Sequence, residues 1–152
     1  MKLEKDYEEL LGLLNDHEVR YCIIGSFALA FHVRPRYTKD IDILVDPAPD
    51  NASRLVEALG EFGLGSVGLE VGDFSKPNQI VQLGYEPVRI DIITSIEGLD
   101  FEVAWKNRVM GQYGSHEVSF IGLDELILSK KLAGRAIDLA DLELLEEELP
   151  DR

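Results

Sequence analysis

Asp40-Ile41-Asp42-Ile43-Leu44-Val45 alternates acidic and aliphatic side chains before Pro47 and Pro49 end any extended run. Side chains along a strand point to opposite faces in turn. Asp40 and Asp42 therefore share one face, while Ile41, Ile43 and Val45 share the other and point into a core. Two carboxylates two residues apart repel each other unless a cation sits between them. Hard oxygen donors favour Mg²⁺ or Mn²⁺ in that place. For a D-x-D taken alone, a polar strand edge facing water is the structural alternative.

Upstream, residues 19–24 form a compact apolar, β-branched run that reads as a buried strand ending at Gly25. Glycine there permits a tight turn and lets a phosphate approach the backbone. Ser26 reads as the N-cap of a short helix over 27–32. The start of that helix offers free N–H groups and a positive dipole end to an anion, although Gly-Ser at such a junction also serves simply as turn and cap. Before it, Leu3, Tyr7, Leu10, Leu11 and Leu14 recur at helical spacing. Residues 34–39 read as a loop, since Pro35 and its predecessor both resist helix.

Downstream, Asp50 or Asn51 is expected to cap a helix carrying Leu55, Val56, Leu59 and Phe62 on one face. The glycine-rich stretch 60–72 is weakly patterned, with a short strand expected near 67–71. Residues 79–83 and 88–94 read as two strands joined by a turn at 84–87. A helix over 99–106, a hairpin of 109–113 with 117–121, and two helices over 123–132 and 136–149 broken at Gly134 complete the chain. The fold class is α/β (α+β): a mixed β-sheet flanked by helices, with C-terminal helices.

Within the later strand, Asp91 shares a face with Arg89 and Ile93, opposite Ile90 and Ile92. An acid in so apolar a strand is costly unless it is paired or metal-bound. The structural alternative is a salt bridge with a neighbouring Arg or Lys.

The 152 residues contain 45% hydrophobic and 29% charged side chains, values of a single globular domain rather than a disordered chain. No apolar run approaches the roughly 18 residues of a membrane-spanning helix, and Met1 to Asp6 has no signal-peptide pattern. The single Cys22 reads as a small buried hydrophobe in a reducing cytoplasm. Fifteen Lys+Arg against 29 Asp+Glu give a formal net charge of -14, which argues against extended nucleic-acid binding. Against this background Arg34, Arg36 and Lys39, then Lys130, Lys131 and Arg135, stand out as local positive charge suited to a small anion. For the second group, pairing with Asp138 and Asp141 is the alternative.

In order, an apolar strand, Gly-Ser, a short helix, Thr-x-Asp-x-Asp on a strand and a lone Asp on a later strand resemble the nucleotidyltransferase superfamily with a DNA polymerase β-like core. Ile24-Gly25-Ser26, Asp40-Ile41-Asp42-Ile43 and Ile90-Asp91-Ile92 match its three motifs. Arg36-Tyr37-Thr38-Lys39-Asp40-Ile41-Asp42 looks like the Arg-x-Thr-x-Asp-x-Asp of small bacterial members, including those of abortive-infection and toxin–antitoxin systems. The run from Lys130 through Ala133-Gly134-Arg135 to Asp138 and Asp141 resembles their C-terminal half.

The resemblance implies one nucleotidyltransferase-like domain over 1–152, with a core over about 20–94 and a C-terminal hairpin and helices over about 99–149. It implies transfer of NMP from an NTP such as ATP to an acceptor hydroxyl on an RNA end, a protein or a small molecule. Asp40, Asp42 and Asp91 would be the catalytic acids and ligands of two Mg²⁺ (or Mn²⁺) ions. Gly25, Ser26, Thr38 and Lys130 would hold the nucleotide. Two further readings stand beside it: an antitoxin-like module that binds a cognate toxin, and an antibiotic nucleotidyltransferase.

Overall fold

The computed structural model describes residues 4–34, 39–85 and 88–149. The order of elements is α1 (Lys5–Asp16), β1 (Tyr21–Ile24), α2 (Gly25–His32), β2 (Asp40–Val45), α3 (Pro49–Leu59), β3 (Ile80–Tyr85), β4 (Val88–Ile93), α4 (Phe101–Lys106), β5 (Val109–Tyr113), β6 (His116–Phe120), α5 (Leu123–Ala133) and α6 (Ala136–Glu148). Among the described residues six strands make one mixed sheet in the order β3-β4-β2-β1-β6-β5. The β2–β4 and β1–β6 pairs are parallel, and the β1–β2, β3–β4 and β5–β6 pairs are antiparallel.

Register follows the aliphatic side chains. Ile41 pairs with Ile90 and Ile43 with Ile92 across the parallel β2–β4 ladder, and all four are buried. Each such burial stabilises the fold by about 1.5–3 kcal/mol. A one-residue slip would turn them out to the other face. Helix α1 seals the sheet against α3 and β6 through Leu10, Leu11 and Leu14. Cys22 is buried, as expected. No helix among the described residues is long and apolar enough to cross a membrane.

Three local expectations fail, each for a physical reason. Ser26 is not a cap: Gly25 enters the left-handed region at φ 67°, the helix begins at Gly25 with Ile24 as its boundary residue, and Ser26 lies inside the first turn. Neither Asp50 nor Asn51 caps α3. Pro49, whose fixed φ suits a first helical turn, starts the helix earlier with Ala48 at its boundary, which leaves Asp50 and Asn51 inside the first turn. The strand expected near 67–71 is absent. That stretch holds short 3₁₀ turns at Gly65–Val67 and Val71–Asp73 after a π turn at Gly60–Leu64, with Gly63 and Gly68 at φ 107° and 85°.

Freed from capping, Asn51 becomes an internal brace. Its side chain is 1% exposed. Its oxygen accepts from Arg20 N–H at 2.7 Å, and its amide donates to Arg20 O at 3.1 Å and Asp46 O at 2.9 Å. It thereby ties the entry of β1 to the exit of β2. Replacing Asn51 with Ala leaves buried backbone groups unpaired and is expected to cost about 1–3 kcal/mol, read as a lower urea midpoint at unchanged m-value.

Candidate active site

The parallel register that pairs the isoleucines also sets Asp42 directly beside Asp91, while Asp40 lies opposite Arg89. All three carboxylates thus lie on the face opposite the buried isoleucines. The Asp42 carboxyl is within hydrogen-bonding reach of Asp91. Burial first, and then the charge of Asp91, push the Asp42 pKa up to about 6.

Gly25 closes in on this pair. A Cβ on Gly25 would lie 2.5 Å from Asp42 Oδ2, so the strand-to-helix turn sits against the carboxylate with room for a backbone only. Tyr7, buried on α1, fixes the motif from behind. Its hydroxyl lies 2.9 Å from both Lys39 O and Arg89 O, and Arg89 N–H donates to it at 3.2 Å. One hydroxyl thereby joins the starts of β2 and β4. Burial pushes its pKa up. Nothing in the sequence marks Tyr7 for this role, because it reads there only as one apolar position of a helix.

Asp42 and Asp91 open onto a cleft of about 290 Å³ between the sheet and the α5–α6 corner, whose lining does not include Asp40. Ile80, Ile93 and Ile96 line one side, and Leu126, Ser129, Lys130, Arg135 and Asp138 line the other. Lys130 is buried and donates to Asp141 at 2.8 Å, with Asp138 at 3.9 Å. Arg135 donates to Asp138 at 2.7 Å, and this hydrogen bond holds the Asp138 carboxyl below its ordinary range. The alternative of pairing with Asp138 and Asp141 is therefore what Lys130 and Arg135 do, although both still reach the cleft wall. Lys131 lines a separate groove between α5 and α6. Arg34 pairs with Glu148 at 3.3 Å on the surface. Arg36, Tyr37 and Thr38 lie outside the described residues.

A comparison with protein families matches residues 3–152 to the family described as nucleotidyl transferase of unknown function (DUF2204). The chain belongs to this family. It is a nucleotidyltransferase, a class of enzyme that generally uses an NTP and a divalent metal. No curated protein matches it by sequence. Solved structures share its fold. A Thermotoga maritima protein assigned as a nucleotidyltransferase (TM1012) aligns over 99% of this chain and 97% of its own, with 16% identity and a TM-score of 0.59. The lincosamide antibiotic adenylyltransferase LnuA, with lincomycin bound, aligns over 94% and 96%, with 17% identity and a TM-score of 0.56.

The donor chemistry of the nucleotidyltransferase site fits a divalent cation. Asp42 and Asp91 are adjacent hard oxygen donors, and Asp40 Oδ1 is buried without a hydrogen-bond partner. Among the described residues no three acid, His or Cys side chains form a ready cage. Arg89 instead lies across Asp91 and Asp40.

Two measurements check this geometry. Gly25→Ala forces a side chain into the left-handed region and against Asp42, and is expected to cost at least about 1–2 kcal/mol in denaturant unfolding. For the Asp42 carboxyl the folded pKa lies above its ordinary 3.8, so the folded state binds the proton more tightly than the unfolded state. Its contribution to stability is present below about pH 4 and is lost as pH rises towards 6. In EDTA, Asp42→Asn is therefore expected to melt a few degrees above the wild type at pH 7.5, with the gain shrinking towards pH 4.

Proposed function

We propose that this protein transfers a nucleoside monophosphate from a nucleoside triphosphate to an acceptor hydroxyl, with Asp40, Asp42 and Asp91 as its catalytic acids and metal ligands. The observation that carries this reading is the register of Asp42 beside Asp91 on neighbouring parallel strands, facing a cleft and backed by a glycine turn. Among the described cleft-lining residues, Asp42, Asp91 and Asp138 outnumber Lys130 and Arg135. A triphosphate entering such a cleft needs added positive charge, which supports Mg²⁺ or Mn²⁺ as a companion. Bound at these acids, the ion supplies charge neutralisation for the triphosphate and makes an acceptor hydroxyl more acidic.

The chain's own residues do the rest. Gly25, lacking a Cβ, keeps the approach to Asp42 open. The first N–H groups of α2, with Ser26 among them, hold phosphate oxygens at a positive dipole end. Lys130 and Arg135, each already paired with an acid, offer hydrogen-bond donors from the opposite wall. Asp91, on the β3 side of the cleft, takes the acceptor's proton on a carboxylate oxygen. The acceptor oxygen bonds the α-phosphorus as the bond to pyrophosphate breaks, and pyrophosphate leaves.

A small-molecule acceptor suits the site best. The cleft is small, its β3 side is apolar, with Ile80 71% exposed, and the chain's acidity repels a polyanion. LnuA, whose name gives an antibiotic acceptor, is spanned over 96% of its length by this chain, which supports the same class.

The test incubates the purified protein with each α-labelled NTP, Mg²⁺ and a small-metabolite extract or a panel of hydroxyl-bearing antibiotics. Label is expected on a small molecule. Asp42→Asn should lower transfer by roughly a thousandfold or more, and Asp40→Asn/Asp42→Asn should be little worse than either single variant, because residues acting as a unit are not additive. Undiminished transfer by folded Asp42→Asn would overturn the reading.

A further inference from the structure

The guanidinium of Arg89 lies across the acids that the proposed function assigns to metal. Its Nη2 is 3.2 Å from Asp91 Oδ2, its Nε is 3.4 Å from Asp91 Oδ1, and its Nη1 is 3.8 Å from Asp40 Oδ2. This is a forked, two-point hold on Asp91 with a weaker reach to Asp40. Gln82, opposite Asp91 on β3, completes the hold. With its amide oxygen turned to the guanidinium, it accepts from Nη2 at 3.0 Å, from Nη1 at 3.2 Å, and from Nε.

The two halves of Arg89 are held differently. Its backbone is fixed by the β2–β4 ladder and by the Tyr7 hydroxyl. Its side chain is 35% exposed and in contact with solvent. Ion pairs in such exposure are weak and screened by salt. The head can therefore leave while the main chain stays in place. Asp40 Oδ1, buried and unpartnered, shows that the guanidinium does not satisfy the whole acid cluster.

We propose that Arg89 is a positioning residue that acts as a resident counter-cation: it holds Asp91 and Asp40 when the site is metal-free, and a divalent cation must displace it, so that Arg89 sets the metal affinity of the site. This inference rests on the reading that Asp40, Asp42 and Asp91 hold metal. Charge and geometry give the same sign. Removing Arg89 takes one positive charge from beside the acids and frees both Asp91 oxygens, so the cation should bind more tightly. A merely structural arginine predicts the opposite, since its loss would loosen the acids and weaken binding.

The experiment titrates the purified protein with Mn²⁺ alone and follows free Mn²⁺ by electron paramagnetic resonance, without nucleotide or turnover. Arg89→Gln is expected to tighten the apparent Kd by about five- to tenfold at low salt, and the gap should narrow as salt rises. Arg89→Lys keeps the charge but not the fork and should fall between the two. In wild-type protein, the Arg89 Nε–H resonance, assigned by its absence in Arg89→Lys, should shift on adding Mg²⁺ and stay put in Asp42→Asn. This measurement keeps the test decisive if Arg89→Gln does not fold. An unchanged or weakened Kd in folded Arg89→Gln overturns the proposal, as does an unmoved resonance in wild-type protein that binds Mg²⁺. If Asp42→Asn binds Mn²⁺ as well as wild type, the metal reading itself fails and this inference falls with it.

Discussion

Two carboxylates held side by side on neighbouring parallel strands are the constraint around which the molecule is arranged. Left to themselves, Asp42 and Asp91 would move apart. They are held together because the residues flanking each of them in sequence, Ile41 and Ile43 on β2 and Ile90 and Ile92 on β4, share a buried register from which slippage would be costly. Each isoleucine contributes about 1.5–3 kcal/mol by leaving water, and together they outweigh the repulsion of two partly solvated acids. Burial first, and then the neighbouring charge of Asp91, raise the Asp42 pKa. The core thus holds two neighbouring carboxylates together on its opposite face.

The surrounding elements limit how that charge can be met. Gly25 brings backbone against Asp42 without a side chain. Tyr7 ties the first residues of β2 and β4 to α1, so the acids cannot relax by fraying at the strand ends. On the α5–α6 side, Lys130 and Arg135 are matched by Asp141 and Asp138. That corner therefore adds hydrogen-bonding shape more than net charge. The half-buried Arg89, which pairs with Asp91 and reaches towards Asp40, is the cation that the sheet itself brings to the acids.

The cleft is also asymmetric. One wall carries ionic groups from α5 and α6, and the other carries Ile80, Ile93 and Ile96. Under the proposed function, the triphosphate lies along the first wall and the start of α2. The apolar wall, next to Asp91, is the place that the proposed function gives to the body of the acceptor. A chain with formal net charge -14 adds a general bias against polyanionic acceptors.

Much of this was written locally. Alternation in Asp40–Val45 and Val88–Ile93 determined which side chains face the core and which face the cleft, and strand alternation depends on nothing beyond the strand itself. The Gly-Ser turn, the D-x-D and the lone Asp91 carry the family resemblance locally. Tertiary structure decided what depends on partners distant in sequence. The pairing of Asp42 with Asp91 needs a parallel ladder between residues about fifty apart. Tyr7 finds Lys39 and Arg89 only after α1 packs. Asn51, a plausible cap by composition, was drawn inward by unpaired groups of Arg20 and Asp46 once Pro49 had started the helix. Lys130 had two readings in the sequence, and the fold gave it Asp141 as a buried partner. Sequence fixes what a strand or turn can present, because those preferences act within a few residues. Which charges meet is decided by packing, because the energy that holds them together comes from burying the hydrophobic core.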